Sequence, residues 1–434
     1  MAAIIDKFQL ADLMVDPHVK VVDARPTAAF NGWKLSGESR GGHIPGALAF
    51  PASWAEQAAD PGLKTMLVSK KLTPGHKIVL YGDGAAASGA DTELLARRLA
   101  DIGYHDVATY EGGFPEWAAD DRAEVASLPR YDKLVHRQWL HDLLSGRRVP
   151  AQPAGEFVLC HVNYGVPAEY EESHIPGAIH LDTNTLESAK DWNRRPPRDL
   201  RLALLELGIA HDTTVIVYGR NSVADPSEQK PGRKAGQIAA TRAAAILMYA
   251  GVRDVRLLDG GYNAWIAAGL PVETVDRKPT PATDFGVTIP ANPAFLIDLA
   301  EVQELLAADD GVVVSIRSFP EYLGDTSGYN YISETGDIPG TVWGNCGTNA
   351  YDMQYYRNVD NTMKDYEEIA AVWQEIGITP DKRVVFYCGT GWRASETLLC
   401  AYLMGWPRVA VYDGGWFEWS RVVGVPDRRP YQGL

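Results

Sequence analysis

The sequence predicts an α/β protein of three tandem domains, each a mostly parallel sheet flanked by helices. Two repeated features indicate this. A segment with two adjacent glycines and a tryptophan occurs three times, as Tyr110–Trp117, Leu258–Trp265 and Tyr412–Trp419. Before each copy, a strand rich in valine or isoleucine ends in a tyrosine: Ile78–Tyr81, Val215–Tyr218 and Val384–Tyr387. Short apolar strands that alternate with helices are typical of parallel sheets covered on both faces.

The repeat divides the chain into domains at residues 1–128, 129–280 and 281–434. A chain of 434 residues is long for one hydrophobic core, which favours this division. The expected linkers are two proline-bearing stretches, Ser127–Tyr131 and Lys278–Pro290. Helices over Leu134–Leu144 and Leu296–Leu306 are expected to open the second and third domains.

Composition excludes several classes of function. The net charge of −15 argues against nucleic acid and anionic membranes as main partners. No apolar run reaches the ~20 residues that a membrane helix needs. Residues Met1–Val15 lack the basic start and apolar segment of a secretory signal, so we expect a cytoplasmic protein, or a periplasmic one if a signal was removed. Four cysteines without CxxC spacing give no reason to expect a metal or another cofactor.

The third copy carries a loop with reactive chemistry, Cys388–Arg393. It lies between the Val384–Tyr387 strand and a helix predicted over Ala394–Met404. Backbone N–H groups of such a glycine-bearing loop converge on an anionic group. The helix N-terminus also favours the nucleophilic thiolate form of Cys388. A buried structural cysteine is the alternative. In a purely structural connection, however, Gly389 and Gly391 would cost conformational entropy without a compensating gain.

At these residues the chain resembles the rhodanese sulfurtransferases, whose active loop also runs six residues from a cysteine at a strand end. The Gly-Gly closing segment, Ser315-Ile316-Arg317 and Tyr322-Leu323-Gly324 resemble further family motifs, and Asp337–Gly340 stands where the family writes Gly-His-Ile-x-Gly. Aligning the copies on their tyrosines places Gly82 and Gly219 where the third copy has Cys388. Three domains with a catalytic cysteine only in the last resemble the bacterial sulfurtransferases of the YnjE type.

The resemblance implies transfer of a sulfane sulfur through a Cys388 persulfide. The donor would be thiosulfate or 3-mercaptopyruvate, and the acceptor cyanide, a small thiol or a protein such as a thioredoxin-like one. The predicted substrate-binding residues are Gly389, Thr390, Gly391, Trp392, Arg393 and Arg317. Arginines suit this role because a guanidinium pairs bidentately with carboxylates and oxyanions. Alternative contacts stay open: Arg393 with Glu396, Arg317 with Glu321 or Asp325, and Trp392 with a neighbouring domain.

Departures from the family bear on the donor. Ser315 replaces the usual aspartate, and Glu321 stands where two-domain members often carry a second arginine. The sequence Cys-Gly-Thr-Gly is similar to the Cys-Gly-Ser-Gly of mercaptopyruvate sulfurtransferases, which slightly favours mercaptopyruvate over thiosulfate. A cysteine phosphatase of the same fold is less favoured, because its Cys-x5-Arg loop is one residue longer. A non-catalytic scaffold fits the first two domains better than the third.

Two further features have structural interpretations. The His43–Ala47 and His174–Ala178 segments occur in the copies without cysteine, so we expect their histidines to stabilise turns rather than to catalyse. The second copy has a long polar loop, Asn221–Gly232, which is either a tolerated insertion or a cover for another surface.

Overall fold

Three five-stranded sheets follow one another along the chain in this computed structural model, which describes residues 2–84, 89–221 and 236–425. Each sheet has the same strand order, and each described pairing between its strands is parallel. In each, the fourth strand lies at the centre and ends in a tyrosine. The predicted fold class is therefore confirmed, and in sheets of this kind ligands usually bind beyond the carboxyl ends of the strands.

The first domain contains strands β1 to β5 in the sheet order β1-β5-β4-β2-β3. The strands are β1 Ala3–Ile5, β2 Val19–Asp23, β3 Leu48–Ala49, β4 Lys77–Tyr81 and β5 Val107–Tyr110. The helices are α1 Lys7–Leu13, α2 Thr27–Asn31, α3 Ala52–Gln57, α4 Asp60–Ser69, α5 Ala90–Asp101 and α6 Gly113–Ala119. Buried Val22, Ile78 and Leu95 belong to a core that joins the sheet to its helices.

The second domain repeats this order as β6-β10-β9-β7-β8. Its strands are β6 Leu134–Val135, β7 Phe157–Asn163, β8 Ile179–Asp182, β9 Thr214–Tyr218 and β10 Asp254–Leu258. Its helices are α7 Arg137–Leu144, α8 Ala168–Glu172, α9 Pro197–Glu206, α10 Gln237–Ala250 and α11 Gly261–Ala267.

The third domain has the order β11-β15-β14-β12-β13. Its strands are β11 Leu296–Ile297, β12 Gly311–Ser315, β13 Val342–Trp343, β14 Arg383–Tyr387 and β15 Val409–Tyr412. Its helices are α12 Leu299–Leu306, α13 Phe319–Leu323, α14 Tyr366–Glu375, α15 Trp392–Leu403 and α16 Gly415–Val422. Every residue of β14 from Val384 onward is buried, as its β-branched and aromatic sequence predicts.

Helix boundaries differ from the sequence prediction in three places. Leu134 and Leu296 do not begin helices but start the two-residue strands β6 and β11, which pair with β10 and β15. The helices then begin at Arg137 and Leu299, after the capping residues His136 and Asp298. Helix α15 begins at Trp392, two positions before the predicted start, because Gly391 is its N-cap.

The chain forms two compact units, residues 1–132 and 133–434. The second unit contains the second and third domains together, although Lys278–Pro290 between them has no helix or strand. Helices α10 and α15, which follow the central strands of these two domains, pack against each other. Almost all of both helices is buried. None of the helices in the described ranges combines the length and the hydropathy that crossing a bilayer would require.

Candidate active site

The active loop connects the central strand β14 to helix α15. Cys388 follows Tyr387 directly, and Gly391 ends the loop with φ +81°, a left-handed conformation that favours glycine. Cys388 is fully buried. The first turn of α15 has backbone N–H groups without helical acceptors, and the helix dipole places partial positive charge there. The predicted combination of cysteine, glycine turn and helix N-terminus is thus present, and its chemistry suits a sulfur anion.

Gly389 allows Tyr329 to approach the loop. A Cβ atom at position 389 would overlap the ring of Tyr329, with the phenolic oxygen only 2.6 Å away. Burial is the largest of the causes that raise the pKa of Tyr329 well above its usual value, so its phenol is neutral. A larger residue at position 389 would therefore displace the aromatic ring that covers the loop.

Arg393 is bound to Glu321 rather than free. Its Nη1 and Nη2 donate to the two carboxylate oxygens of Glu321 at 3.0 and 2.8 Å, and Nη2 also donates to the phenol of Tyr329 at 2.6 Å. Glu321 is completely buried. Burial opposes its ionisation, but the charges and hydrogen bonds of its partners outweigh this and lower its pKa to about 2. The alternative partner of Arg393, Glu396, pairs instead with Arg357.

Arg317 is also paired with carboxylates. Its Nε lies 3.5 Å from Glu321, and its Nη1 lies 3.2 Å from Asp337 and donates to the carbonyl of Gly336. Burial raises the pKa of Asp337, which also contacts the hydroxyl of Tyr387, while Arg317 opposes that rise. The two predicted cations thus each face an acidic side chain.

The histidines of the first two domains bond to the backbone. His43 Nδ1 lies 2.9 Å from the carbonyl of Phe30, and His174 Nδ1 lies 2.6 Å from the carbonyl of Tyr170. Both imidazoles are fully buried. These contacts agree with a turn-stabilising role for both histidines.

Aromatic side chains surround the loop on the side of the segment 324–341. Tyr329 packs on Tyr331 at 5.1 Å and on Tyr351 at 5.9 Å between ring centroids. Tyr331 packs at 4.4 Å on Trp192, which lies 5.5 Å from Phe417. We call these five residues the aromatic wall. Burial raises the pKa of Tyr331 well above its usual value, and the side chain of Thr390 opposes that rise. The wall was not predicted, and its one indication in the sequence is Gly-Tyr-Asn-Tyr at 328–331.

Trp392 points toward the second domain. Its indole Nε1 donates to Glu187 at 3.1 Å, and its ring packs 5.9 Å from Tyr164. The structure therefore brings Thr390, Arg393 and Arg317 together with the aromatic wall and directs Trp392 to a domain contact. A substrate-binding role for each of these residues stays a prediction.

The other two domains carry Gly82 and Gly219 after their central strands. Most of the second domain's long loop, and residues 85–88 of the first, lie outside the described residues. Burial raises the pKa of the Cys160 thiol to about 12 and that of Cys400 well above its usual value. Burial likewise raises the pKa of Cys346 to about 11, although Arg393 opposes it. Within the described ranges no cluster of side chains suited to a metal ion occurs.

This chain is similar in sequence to known proteins. Residues 7–120, 162–268 and 298–422 match the rhodanese-like domain. The thiosulfate sulfurtransferase YnjE of Escherichia coli is 40% identical over 410 residues, which cover 94% of this chain and 88% of that protein. Human 3-mercaptopyruvate sulfurtransferase is 30% identical over 298 residues, which cover 66% of this chain and 91% of that protein.

Solved structures of EanB are similar over the whole length. One EanB variant in complex with ergothioneine is 42% identical, has a TM-score of 0.96 and covers 100% of both chains. The anaerobic ergothioneine biosynthesis enzyme of Chlorobium limicola, in complex with trimethyl histidine, is 43% identical with a TM-score of 0.94 and covers 98% of this chain and 99% of its own. With three matching domains and these relatives, the chain belongs to the rhodanese family of sulfurtransferases.

Proposed function

We propose that this protein carries a sulfane sulfur as a persulfide on Cys388. The observation that carries the proposal is the position of Cys388 between a buried central strand and the N-terminus of α15. The three other cysteines have raised pKa values, which keep their thiols protonated and poorly nucleophilic. Gly82 and Gly219 replace the thiol in the first two domains. Cys388 is therefore the cysteine expected to hold the transferred sulfur.

The loading step is a displacement at sulfur. The thiolate of Cys388 attacks the outer sulfur of thiosulfate, the S–S bond of thiosulfate breaks, and sulfite leaves with the electron pair. With 3-mercaptopyruvate, the C–S bond breaks, pyruvate leaves after its carbon takes the proton, and the same persulfide forms. The N-terminus of α15 would stabilise the persulfide anion.

The charges near the loop favour the monoanionic donor. Glu321 neutralises Arg393 at hydrogen-bond distance, and Arg317 faces both Glu321 and Asp337. A compact dianion such as thiosulfate gains little from cations that are already paired. This supports a preference for 3-mercaptopyruvate over thiosulfate.

For the acceptor, we favour the imidazole ring of trimethyl histidine, also called hercynine. The aromatic wall supports this choice, because aromatic faces suit a flat ring and a quaternary ammonium group. EanB, similar along its full length, has been solved with hercynine, with ergothioneine, and as a cysteine persulfide in a tetrahedral intermediate state. In this transfer, a carbon of the hercynine imidazole bonds to the outer sulfur of the persulfide and the S–S bond breaks. Cys388 regains a proton as the ring carbon loses one.

Intact-mass spectrometry tests the persulfide. The protein is incubated with 3-mercaptopyruvate or with thiosulfate, and we expect the mass of one added sulfur that maps to Cys388. The Cys388→Ser variant should remain folded and gain no sulfur, whereas Cys400→Ser, a matched change in the same helix, should still gain it. Sulfur that maps to Cys346 or Cys160 would refute the proposal.

A second experiment tests donor and acceptor. The loaded protein is separated from donor and mixed with hercynine, with cyanide or with a reduced thioredoxin. Formation of ergothioneine supports the proposed acceptor. Discharge to cyanide or thioredoxin without any ergothioneine would contradict it and favour a small nucleophile or a protein thiol as the acceptor. A higher kcat/KM for thiosulfate than for 3-mercaptopyruvate, with one common acceptor, would overturn the donor preference.

A further inference from the structure

A turn of the second domain reaches the active loop of the third. Residues 187–194 form this turn, which is closed by an antiparallel bridge between Glu187 and Arg194. Inside it, Ser188 N donates to the carbonyl of Asn193, and Trp192 N donates to the carbonyl of Ser188, both at 2.8 Å. We call it the 187–194 turn.

Buried charges fix this turn against the third domain. Arg194 donates from its backbone N and from Nη1 to Asp413, each at 2.9 Å, and Asp413 follows strand β15. Arg242 of α10 joins both domains, because it pairs with Glu187 at 2.9 Å and with Asp413 at 2.7 Å. The indole of Trp392, at the start of α15, donates to the same Glu187. The turn is thus tied to the helix that begins at the active loop.

Trp192 is the residue that this anchoring presents to the site. Its carbonyl accepts a hydrogen bond from Arg242 Nη2 at 2.7 Å, and its ring lies on Tyr331 at 4.4 Å. Its φ is +59°, a conformation that is a true outlier for a bulky side chain. The side chain of Thr390, in the active loop, in turn lies near the Tyr331 hydroxyl and opposes the rise that burial causes in its pKa. A continuous path of contacts therefore leads from the 187–194 turn to the residue two positions after Cys388.

We propose that Trp192 is a specificity-determining residue of the sulfur-transfer site, contributed by the domain that lacks a cysteine. It lies between Tyr331 and Phe417 in the aromatic wall and, through Tyr331, limits which acceptors reach the persulfide on Cys388. This inference rests on the proposed function. It assigns the second domain a direct part in the reaction, beyond support of the fold.

The arrangement predicts selection by size and shape. Cys388 is fully buried, so a substrate reaches it only when the covering rings move. A flat acceptor that stacks on Trp192 gains binding energy, whereas a bulky flexible thiol is excluded by the same ring. Cyanide and the small donors have no ring to stack on Trp192 and little bulk for it to exclude. The residue should thus affect large acceptors and leave loading unchanged.

The test separates persulfide loading from discharge in the full-length protein. Trp192→Ala is loaded with 3-mercaptopyruvate and then discharged to cyanide, glutathione or hercynine. In the glutathione reaction, the thiolate attacks the outer sulfur, glutathione persulfide leaves, and Cys388 is released as a thiolate. We expect loading and cyanide discharge within about twofold of wild type, discharge to glutathione about fivefold faster, and a hercynine KM about tenfold higher with kcat little changed.

Two further variants keep the test decisive. Tyr164→Ala removes another aromatic contact between the same two domains, at Trp392, and should leave all of these rates near wild type. Trp192→Phe retains a ring and should give intermediate values. If both Trp192 variants load normally and match wild type with glutathione and with hercynine, the inference is refuted while the proposed function stands. If wild type gains no sulfur at all, both fall together.

Discussion

At the scale of single residues, the site depends on groups held in costly states. Trp192 has a left-handed backbone, and Glu321 is an ionised carboxylate with no exposure to solvent. Such states persist only where surrounding contacts enforce them, here Arg242 for the first and two arginines for the second. Trp192 belongs to the aromatic wall, and Glu321 is linked to it through Arg393, which also bonds to Tyr329, so the cost of both states is linked to the shape of the site.

The backbone of Trp192 makes a specific stability prediction. Trp192→Ala and Trp192→Gly remove the same ring, but only glycine adopts φ +59° without strain. The glycine variant should therefore be the more stable of the two by about 1 kcal/mol. Urea unfolding of both variants measures the difference. An alanine variant at least as stable as the glycine variant would mean that the left-handed conformation is not maintained.

Glu321 controls the charge available to a donor. Glu321→Gln keeps the side-chain shape but removes the negative charge between Arg317 and Arg393. The freed positive charge should lower the KM for thiosulfate several-fold more than the KM for 3-mercaptopyruvate. The variant should also unfold more easily, by about 3 kcal/mol at neutral pH, because two buried cations lose a partner. Steady-state kinetics with both donors, and urea unfolding, measure the two effects.

The effect on stability has a definite pH dependence. The folded pKa of Glu321 is about 2, below the unfolded value of about 4.3. Its contribution is therefore complete above pH ~4.3 and is lost as the pH falls toward 2. The stability gap between wild type and Glu321→Gln should shrink between these values. A gap that is constant from pH 7 to pH 3 would contradict the assignment of an ionised Glu321.

The sequence grouped the candidate loop residues and offered Glu321 as a partner of Arg317, which the structure shows at 3.5 Å, but other partners were missed. Cys388, Gly389 and Gly391 are adjacent in sequence, so local pattern and turn chemistry were enough to group them. The partners of Arg393 and Tyr331 were not predictable, because Glu321 and Trp192 are far away in the chain and meet them only in the folded state. The local alternative, Arg393 with Glu396, was wrong because Arg357 takes that carboxylate.

At the scale of elements, strands were predicted better than helix starts. Strand β14 follows directly from its run of β-branched and aromatic residues. The two-residue strands β6 and β11 were missed, since their existence depends on pairing with β10 and β15 rather than on local sequence. The tight packing of α10 on α15 was also not predicted, although both helices have few charged residues.

The packing of α10 on α15 predicts where a core mutation is costly. Leu399 is 5% exposed and lines a small space between the two helices with Thr241 and Cys400. Leu399→Ala should lower the free energy of unfolding of residues 133–434 by about 2–5 kcal/mol. The control is Leu202→Ala in α9, whose side chain is 51% exposed and should change stability by less than about 0.5 kcal/mol. Equal effects of the two changes, measured by urea unfolding, would contradict a shared core.

At the scale of the whole molecule, the repeat in the sequence predicted three sheets but not how two of them join. The second and third domains form one unit, because helices α10 and α15 pack together and a buried network of charges links the two domains. The network consists of Glu187, Arg242, Arg194 and Asp413. Such a network needs complementary charges in both partners, and no single repeat reveals it. The proline-bearing linker Lys278–Pro290 divides the chain without separating the two domains in space.

This joining predicts the smallest active piece of the chain. Residues 133–434 form one compact unit that contains both Cys388 and the second-domain partners of its site, so this fragment should fold and should load sulfur at nearly the rate of the full chain. Residues 281–434 alone would expose the apolar face of α15 that packs on α10, and Asp413 and Trp392 would lose their partners. We expect this shorter fragment to aggregate or to load sulfur at least about tenfold more slowly. Size-exclusion chromatography and persulfide mass spectrometry on both fragments decide the matter. A soluble, fully active fragment 281–434 would show that the third domain does not depend on the second.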